Sequence, residues 1–150
     1  MAQAGASCQT FSDSKTAIGF EQKFKCKYSL VPFSQTYVYE ADAEQTGVYV
    51  KYVKGQKALL DLPTVMVDFT TDGNGEYQTL TEFTCKEKLG VVVATELRIS
   101  SRDKQLDDAT LEDLKQRALD LGIPPQELSK ITIVDHSRCK DMDDEVEFLQ

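Results

Sequence analysis

Glu96-Leu-Arg-Ile-Ser-Ser-Arg102, followed by a helical stretch from Asp107 to Leu121, the apolar run Ile131-Thr-Ile-Val134 and Cys139, decides how this chain folds. The first piece closes a longer run, Val91-Val-Val-Ala-Thr-Glu-Leu-Arg-Ile-Ser100, whose side chains alternate between two faces as a strand requires. Val91, Val93, Thr95, Leu97 and Ile99 share one face, and Val92, Ala94, Glu96, Arg98 and Ser100 share the other. Leu111, Leu114, Ala118 and Leu121 then recur at helical spacing. Asp107 or Asp108 caps the start of that helix, and Gly122 with Pro124-Pro125 ends it. The apolar strand face is expected beneath the helix. Glu96 and Arg98 then point to the opposite side, where burial of an isolated ion costs several kcal/mol unless it is paired, hydrated or matched by a ligand.

Upstream, short runs rich in Val, Tyr, Phe and Thr alternate with polar turns, which predicts strands at Phe24–Tyr28, Gln35–Glu40, Gly47–Lys54, Thr64–Thr70 and Tyr77–Lys86. Thr71-Asp-Gly-Asn-Gly75 is the strongest hairpin signal, because its glycines supply the positive φ that tight turns need. Lys88-Leu-Gly90 is a weaker one. Strands joined this closely pair as an antiparallel meander, and closure into a barrel removes its edges. A sandwich is the alternative. Residues 1–19 are expected to be irregular, Ile131–Val134 to form a short strand, and residues 140–150 to be an acidic tail, all within a single domain spanning 1–150.

A length of 150 residues suits one domain with a real core. Lys and Arg total 17 against 25 Asp and Glu, a net charge of -8 with no basic cluster, which argues against nucleic acid as a partner. The longest apolar stretch, around Leu89 to Thr95, is of strand length, so no membrane span is expected. Cys8, Cys26, Cys85 and Cys139 include no C-x-x-C pair, and His136 is the only histidine, so no zinc cage, metal site or bound cofactor is predicted. Two long-range disulfides, each contributing roughly 3–5 kcal/mol, favour secretion; four buried thiols in a cytosolic protein are the alternative. Met1-Ala-Gln-Ala-Gly5 has no signal-peptide character, so a natural leader replaced by the starting Met is expected. Thr70 to Thr81 fails calcium-loop spacing and reads as a turn, and no phosphate loop occurs.

Arg98-Ile-Ser-Ser-Arg102-Asp-Lys-Gln-Leu106, the helix with Leu111 to Leu121, Gly122-Ile-Pro-Pro125, Ile131–Val134 and Ser137-Arg-Cys139 together resemble the C-terminal half of lipocalins. Tyr77-Gln-Thr-Leu-Thr-Glu-Phe-Thr-Cys85 resembles the strand before it, so the likeness covers residues 64–139. It implies an up-and-down β-barrel with one C-terminal helix. The chain has no Trp, so the Gly-x-Trp of the first lipocalin strand is missing and that strand is expected to be shortened or replaced. The arthropod pattern of this family implies bridges Cys8–Cys85 and Cys26–Cys139. The resemblance also places Ser100, Arg98, Glu96 and Glu82 inside the cup, with aromatic walls from Tyr37, Tyr39 or Tyr52. A secreted, non-enzymatic carrier of a small hydrophobic or amphipathic molecule, one with a charged group such as an amine or an acid, is the function this implies. Arg98→Ala is expected to weaken ligand binding while leaving the fold intact. The alternative is a filled barrel whose loops or acidic surface engage a protein partner. An isomerase-like enzyme is a third reading, and it needs a free cup cysteine.

Overall fold

The computed structural model describes residues 6–29, 31–137 and 139. They form β1 (Ala6–Thr16), β2 (Gly19–Tyr28), β3 (Val31–Ala41), β4 (Val48–Val53), β5 (Asp61–Thr71), β6 (Tyr77–Lys88), β7 (Val91–Ser101), α1 (Asp108–Asp120) and the single turn α2 (Pro125–Leu128). The seven strands lie in one sheet in chain order. β1 with β2, β2 with β3, β5 with β6, and β6 with β7 all pair antiparallel. The fold is therefore an antiparallel up-and-down sheet with a C-terminal helix, as the sequence predicts. The described residues fall into two compact units, one comprising 42–49 and 62–132, the other 6–41, 50–61, 133–137 and 139.

In the first unit, α1 begins where Asp107 Oδ1 accepts from the backbone N–H of Thr110 at 2.9 Å, satisfying one of the amides that a helix start leaves open. It ends in a left-handed cap. Gly122 has φ +94°, its N–H donates to Leu119 O, and the N–H of Ile123 donates to Ala118 O. This reversal folds Ile123 back over Ala118, and both join Leu128 in a core against which Val67, Phe83, Leu97, Leu119 and Ile131 pack. The predicted stripe is corrected at its end: Leu121 is exposed, and Leu119 and Ile123 occupy the apolar side instead. Turn chemistry sets the hairpins. Asp72 Oδ1 accepts from the amides of Asn74 and Glu76, and Leu89 and Gly90 both have positive φ.

In the second unit, the N-terminal stretch expected to be irregular, and the first strand expected to be shortened, are instead the full-length β1, paired with β2 from Ala6 to Thr16 around a bulge between Ser7 and Thr10. The polar side chains of β1 carry no strand signal because most face water; backbone pairing holds it. Gly19 opens β2 with φ +148°, where a Cβ would meet Tyr39 O at 2.0 Å. Ile131–Val134 is not a strand, which corrects the prediction. A backbone bond from Cys8 N–H to Asp135 O ties the region just after it to β1. The tail 140–150 lies outside the described residues.

Candidate functional site

Across β6 and β7, Glu82 stands opposite Arg98, Thr84 opposite Glu96 and Leu80 opposite Ser100, so these six share a face. The other face carries Phe83 opposite Leu97 and Cys85 opposite Thr95. That second face is the one the helices cover: Leu97 and Phe83 pack on Ala118, Ile123 and Leu128, and Thr95 Oγ1 donates to Glu127 at 3.0 Å. Glu96, Arg98 and Ser100 therefore share the face opposite the helices, and Glu82 of β6 lies on that face beside them. Arg98 Nη2 donates to Glu82 Oε2 at 2.5 Å, with the Glu82 side chain 1% and the Arg98 side chain 10% exposed. Glu96 and Ser100 are half-buried, and Thr64 and Thr84 share a hydroxyl hydrogen bond of 2.8 Å on the same face. The pair changes what Arg98→Ala would do. Removing the guanidinium takes an ion-pair partner from a buried carboxylate, so Arg98→Ala is expected to lower stability rather than leave the fold untouched.

Arg102, in the stretch that resembles the end of the last lipocalin strand, is exposed. Its Nε donates to the Tyr77 carbonyl and its Nη2 to Glu76 at 3.2 Å, tying the end of β7 to the start of β6.

The three candidate tyrosines belong to the second unit and divide between faces. Tyr37 pairs across from Gln22 and Tyr39 from Phe20, on the β3 face that also carries Phe33 and Gln35. Tyr39 is fully buried, stacked on Phe20 at 4.3 Å, and its hydroxyl donates to Gln22 Oε1 at 3.3 Å. Gln22 Nε2 in turn donates to Asp13 Oδ1 at 2.9 Å. Tyr52 is not brought to this group. It lies beside Glu40 and Lys57, and the Lys57 ammonium that bonds Glu40 holds that carboxyl below the usual carboxylate range. Sequence reasoning passed over Lys51, whose Nζ lies 5.4 Å from the Tyr37 ring centre and 5.7 Å from that of Tyr39. It is the buried residue of β4. Its signal was present as a lone ammonium inside Val48-Tyr-Val-Lys-Tyr-Val53, a run apolar on both faces that conceals which side is buried.

The cysteine pairing differs from that implied by the resemblance. Cys8 is bonded to Cys139, with Cα atoms 5.3 Å apart, and Cys26 and Cys85 are free thiols. Cys85 lies on the helix-facing side of β6, across from Thr95. Cys26 is buried, and that burial raises its thiol pKa despite a hydrogen bond with Tyr28, which disfavours the thiolate a nucleophile needs. Among the described residues, no group of three His, Cys, Asp or Glu side chains is placed to hold a metal ion, and no helix is long and apolar enough to cross a membrane.

The chain is similar in fold to the crystal structure of lobster apocrustacyanin A1, a lipocalin, with a TM-score of 0.63 at 13% identity over 83% of this chain. It spans 66% of the length of that chain. No protein-family model and no curated protein matches the sequence.

Proposed function

We propose that this chain is a lipocalin-like binding protein that carries or sequesters a small amphipathic molecule without catalysis, held on the sheet face that α1 leaves uncovered. The observation that carries this reading is the Glu82–Arg98 pair, an ion pair kept out of water on a face with no helix over it. A sheet face used only for packing would be more stable with apolar residues there, because paired charges regain little more than they lose on desolvation. Retained charges instead offer hydrogen bonds to a ligand's polar group, while surrounding apolar burial supplies about 25 cal/mol per Å². The Cys8–Cys139 bridge supports an extracellular setting, where disulfides persist. The fold shared with a lipocalin supports a small-molecule ligand over a filled barrel that engages a protein.

Calorimetric titration with dodecanol tests this. The wild-type chain is expected to bind the alcohol. A double variant, Glu82→Met with Arg98→Met, removes both charges together, so it is expected to fold and to lose about tenfold in affinity with the lost charge-assisted hydrogen bonds. Unchanged affinity in the folded double variant removes the pair from the site. Failure of the wild-type chain to bind dodecanol, dodecanoate and dodecylamine alike overturns the carrier reading in favour of the protein-interaction one.

A further inference from the structure

The longest apolar stretch of the chain, Leu89 to Thr95, begins at the tip of the β6–β7 hairpin, and the carrier reading makes no use of its first residues. Leu89 is 96% exposed, and Val91, Val92 and Val93 are 62%, 55% and 54% exposed. Consecutive strand residues point to opposite sides, so the tip is apolar and open to water on both faces as well as at its apex. Single exposed apolar side chains are ordinary, whereas a contiguous group of them marks a docking surface.

The leucine stands where the backbone disfavours it. Leu89 and Gly90 alone connect β6 to β7, and both have positive φ, +54° and +77°. A two-residue turn of this kind favours Asn-Gly, because asparagine tolerates the left-handed region far better than leucine does. The chain follows that preference between β5 and β6, where Asp72, Gly73, Asn74 and Gly75 make the reversal. At Leu89 the folded chain gains neither a relaxed backbone nor a buried side chain. Departures of this kind from local rules concentrate at functional sites.

The shape and composition of the tip select a lipid bilayer as its cover. A protein surface would cover one face of the hairpin, while hydrocarbon surrounds both faces and the apex. Protein interfaces draw their affinity chiefly from Trp, Tyr and Arg, with Leu and Val under-represented, whereas Leu and Val enter a bilayer readily. From Val93 to the turn the strand runs roughly 10 Å, the depth to which interfacial segments bury their apolar side. Pairing continues to the turn, with Glu87 opposite Val92 and Lys88 opposite Val91, so the hairpin takes its own backbone bonds into that layer. Lys88, exposed beside the turn, is long enough to return its ammonium to the headgroups. Glu87 and Lys88 offset each other and the whole chain carries -8, so a zwitterionic surface fits better than an anionic one.

We infer that the β6–β7 tip inserts Leu89, Val91, Val92 and Val93 into the interfacial layer of a zwitterionic phospholipid bilayer. The docking stands on the tip alone; its use rests on the carrier reading above. Glu82 and Arg98 lie further along the same hairpin, so docking sets the proposed binding face beside the layer into which an amphipathic ligand partitions.

Co-sedimentation with vesicles tests this without any ligand. The wild-type chain is expected to pellet with phosphatidylcholine vesicles equally at low and high salt, and less with vesicles in which a third of the lipid is phosphatidylserine. Leu89→Asn is expected to lower the partition coefficient at least about tenfold, as withdrawal of one large apolar side chain from hydrocarbon requires, while its urea midpoint stays level or rises. Val91→Thr with Val93→Thr keeps β-branched side chains in the strand and is expected to weaken association by a similar factor. Failure of the wild-type chain to pellet with either vesicle overturns the inference, as does partition of either variant equal to that of the wild type. Association that grows with phosphatidylserine and fades with salt overturns it in favour of an electrostatic contact elsewhere. A wild-type dimer in sedimentation velocity that Leu89→Asn dissolves, with no vesicle binding, overturns it in favour of a second copy of this chain. A lower urea midpoint in Leu89→Asn shows that the leucine serves the fold and overturns it as well. The dodecanol titration is independent of these outcomes, so the carrier reading stands or fails separately.

Discussion

Gly19 shows how a single residue is held by its neighbour's backbone. Its φ of +148° suits glycine, and a methyl group there would meet Tyr39 O at 2.0 Å, a contact that only movement of β3 could relieve. Gly19→Ala is therefore expected to destabilise the chain by about 2–4 kcal/mol, read as a lower urea midpoint; a loss below about 0.5 kcal/mol would show that β3 yields freely. The movement would be felt directly at Tyr39, whose ring stacks on Phe20 and faces Lys51. At the same scale, the alternation of Val91 to Ser100 was enough to place Glu96, Arg98 and Ser100 on one face. It was not enough to show that Arg98 is already bonded to Glu82, because a partner on another strand is a matter of register.

The helix α1 is the element whose sequence reading was most complete, because caps are local. Asp107 accepts hydrogen bonds from the Thr110 backbone and hydroxyl, and these hold its carboxyl below the ordinary aspartate range. A carboxyl lowered in the folded state adds stability above its unfolded value, near about 4, and that contribution is lost as pH falls through the folded value. Thermal midpoints measured against pH should show it. Asp107→Asn keeps an acceptor at the cap but cannot titrate, so its profile is expected to be flatter than the wild-type one between about pH 2 and pH 5. Superimposable profiles would remove Asp107 from the acid response. The stripe beneath the helix was legible at Leu114 and Ala118 and failed at Leu121, since the left-handed turn at Gly122 redirects the chain and gives the apolar place to Ile123. The strand β1 failed for the opposite reason: it buries little beyond Cys8, so the density of Val, Tyr, Phe and Thr that marked the other strands was absent.

At the scale of the molecule, the Cys8–Cys139 bridge closes a loop spanning 131 positions, worth about 5 kcal/mol if it acts by restricting the unfolded chain. Thiol titration of the unreduced, denatured protein is expected to find two free groups, Cys26 and Cys85; finding none would show that these two are bridged as well. Reduction is expected to lower the thermal midpoint, with the largest loss of protection from hydrogen exchange around β1. The sequence by itself determined the order of the elements from β2 to α1, the antiparallel meander, a helix start at Asp107 or Asp108 and the two faces of β7, because period, caps and turns are written within a few residues of where they act. Only the tertiary structure decided which cysteines meet, that Glu82 and Arg98 neutralise each other, and that Lys51 rather than Tyr52 joins Tyr37 and Tyr39. Each of those depends on residues distant in the chain arriving at one register, and local spacing carries no record of that.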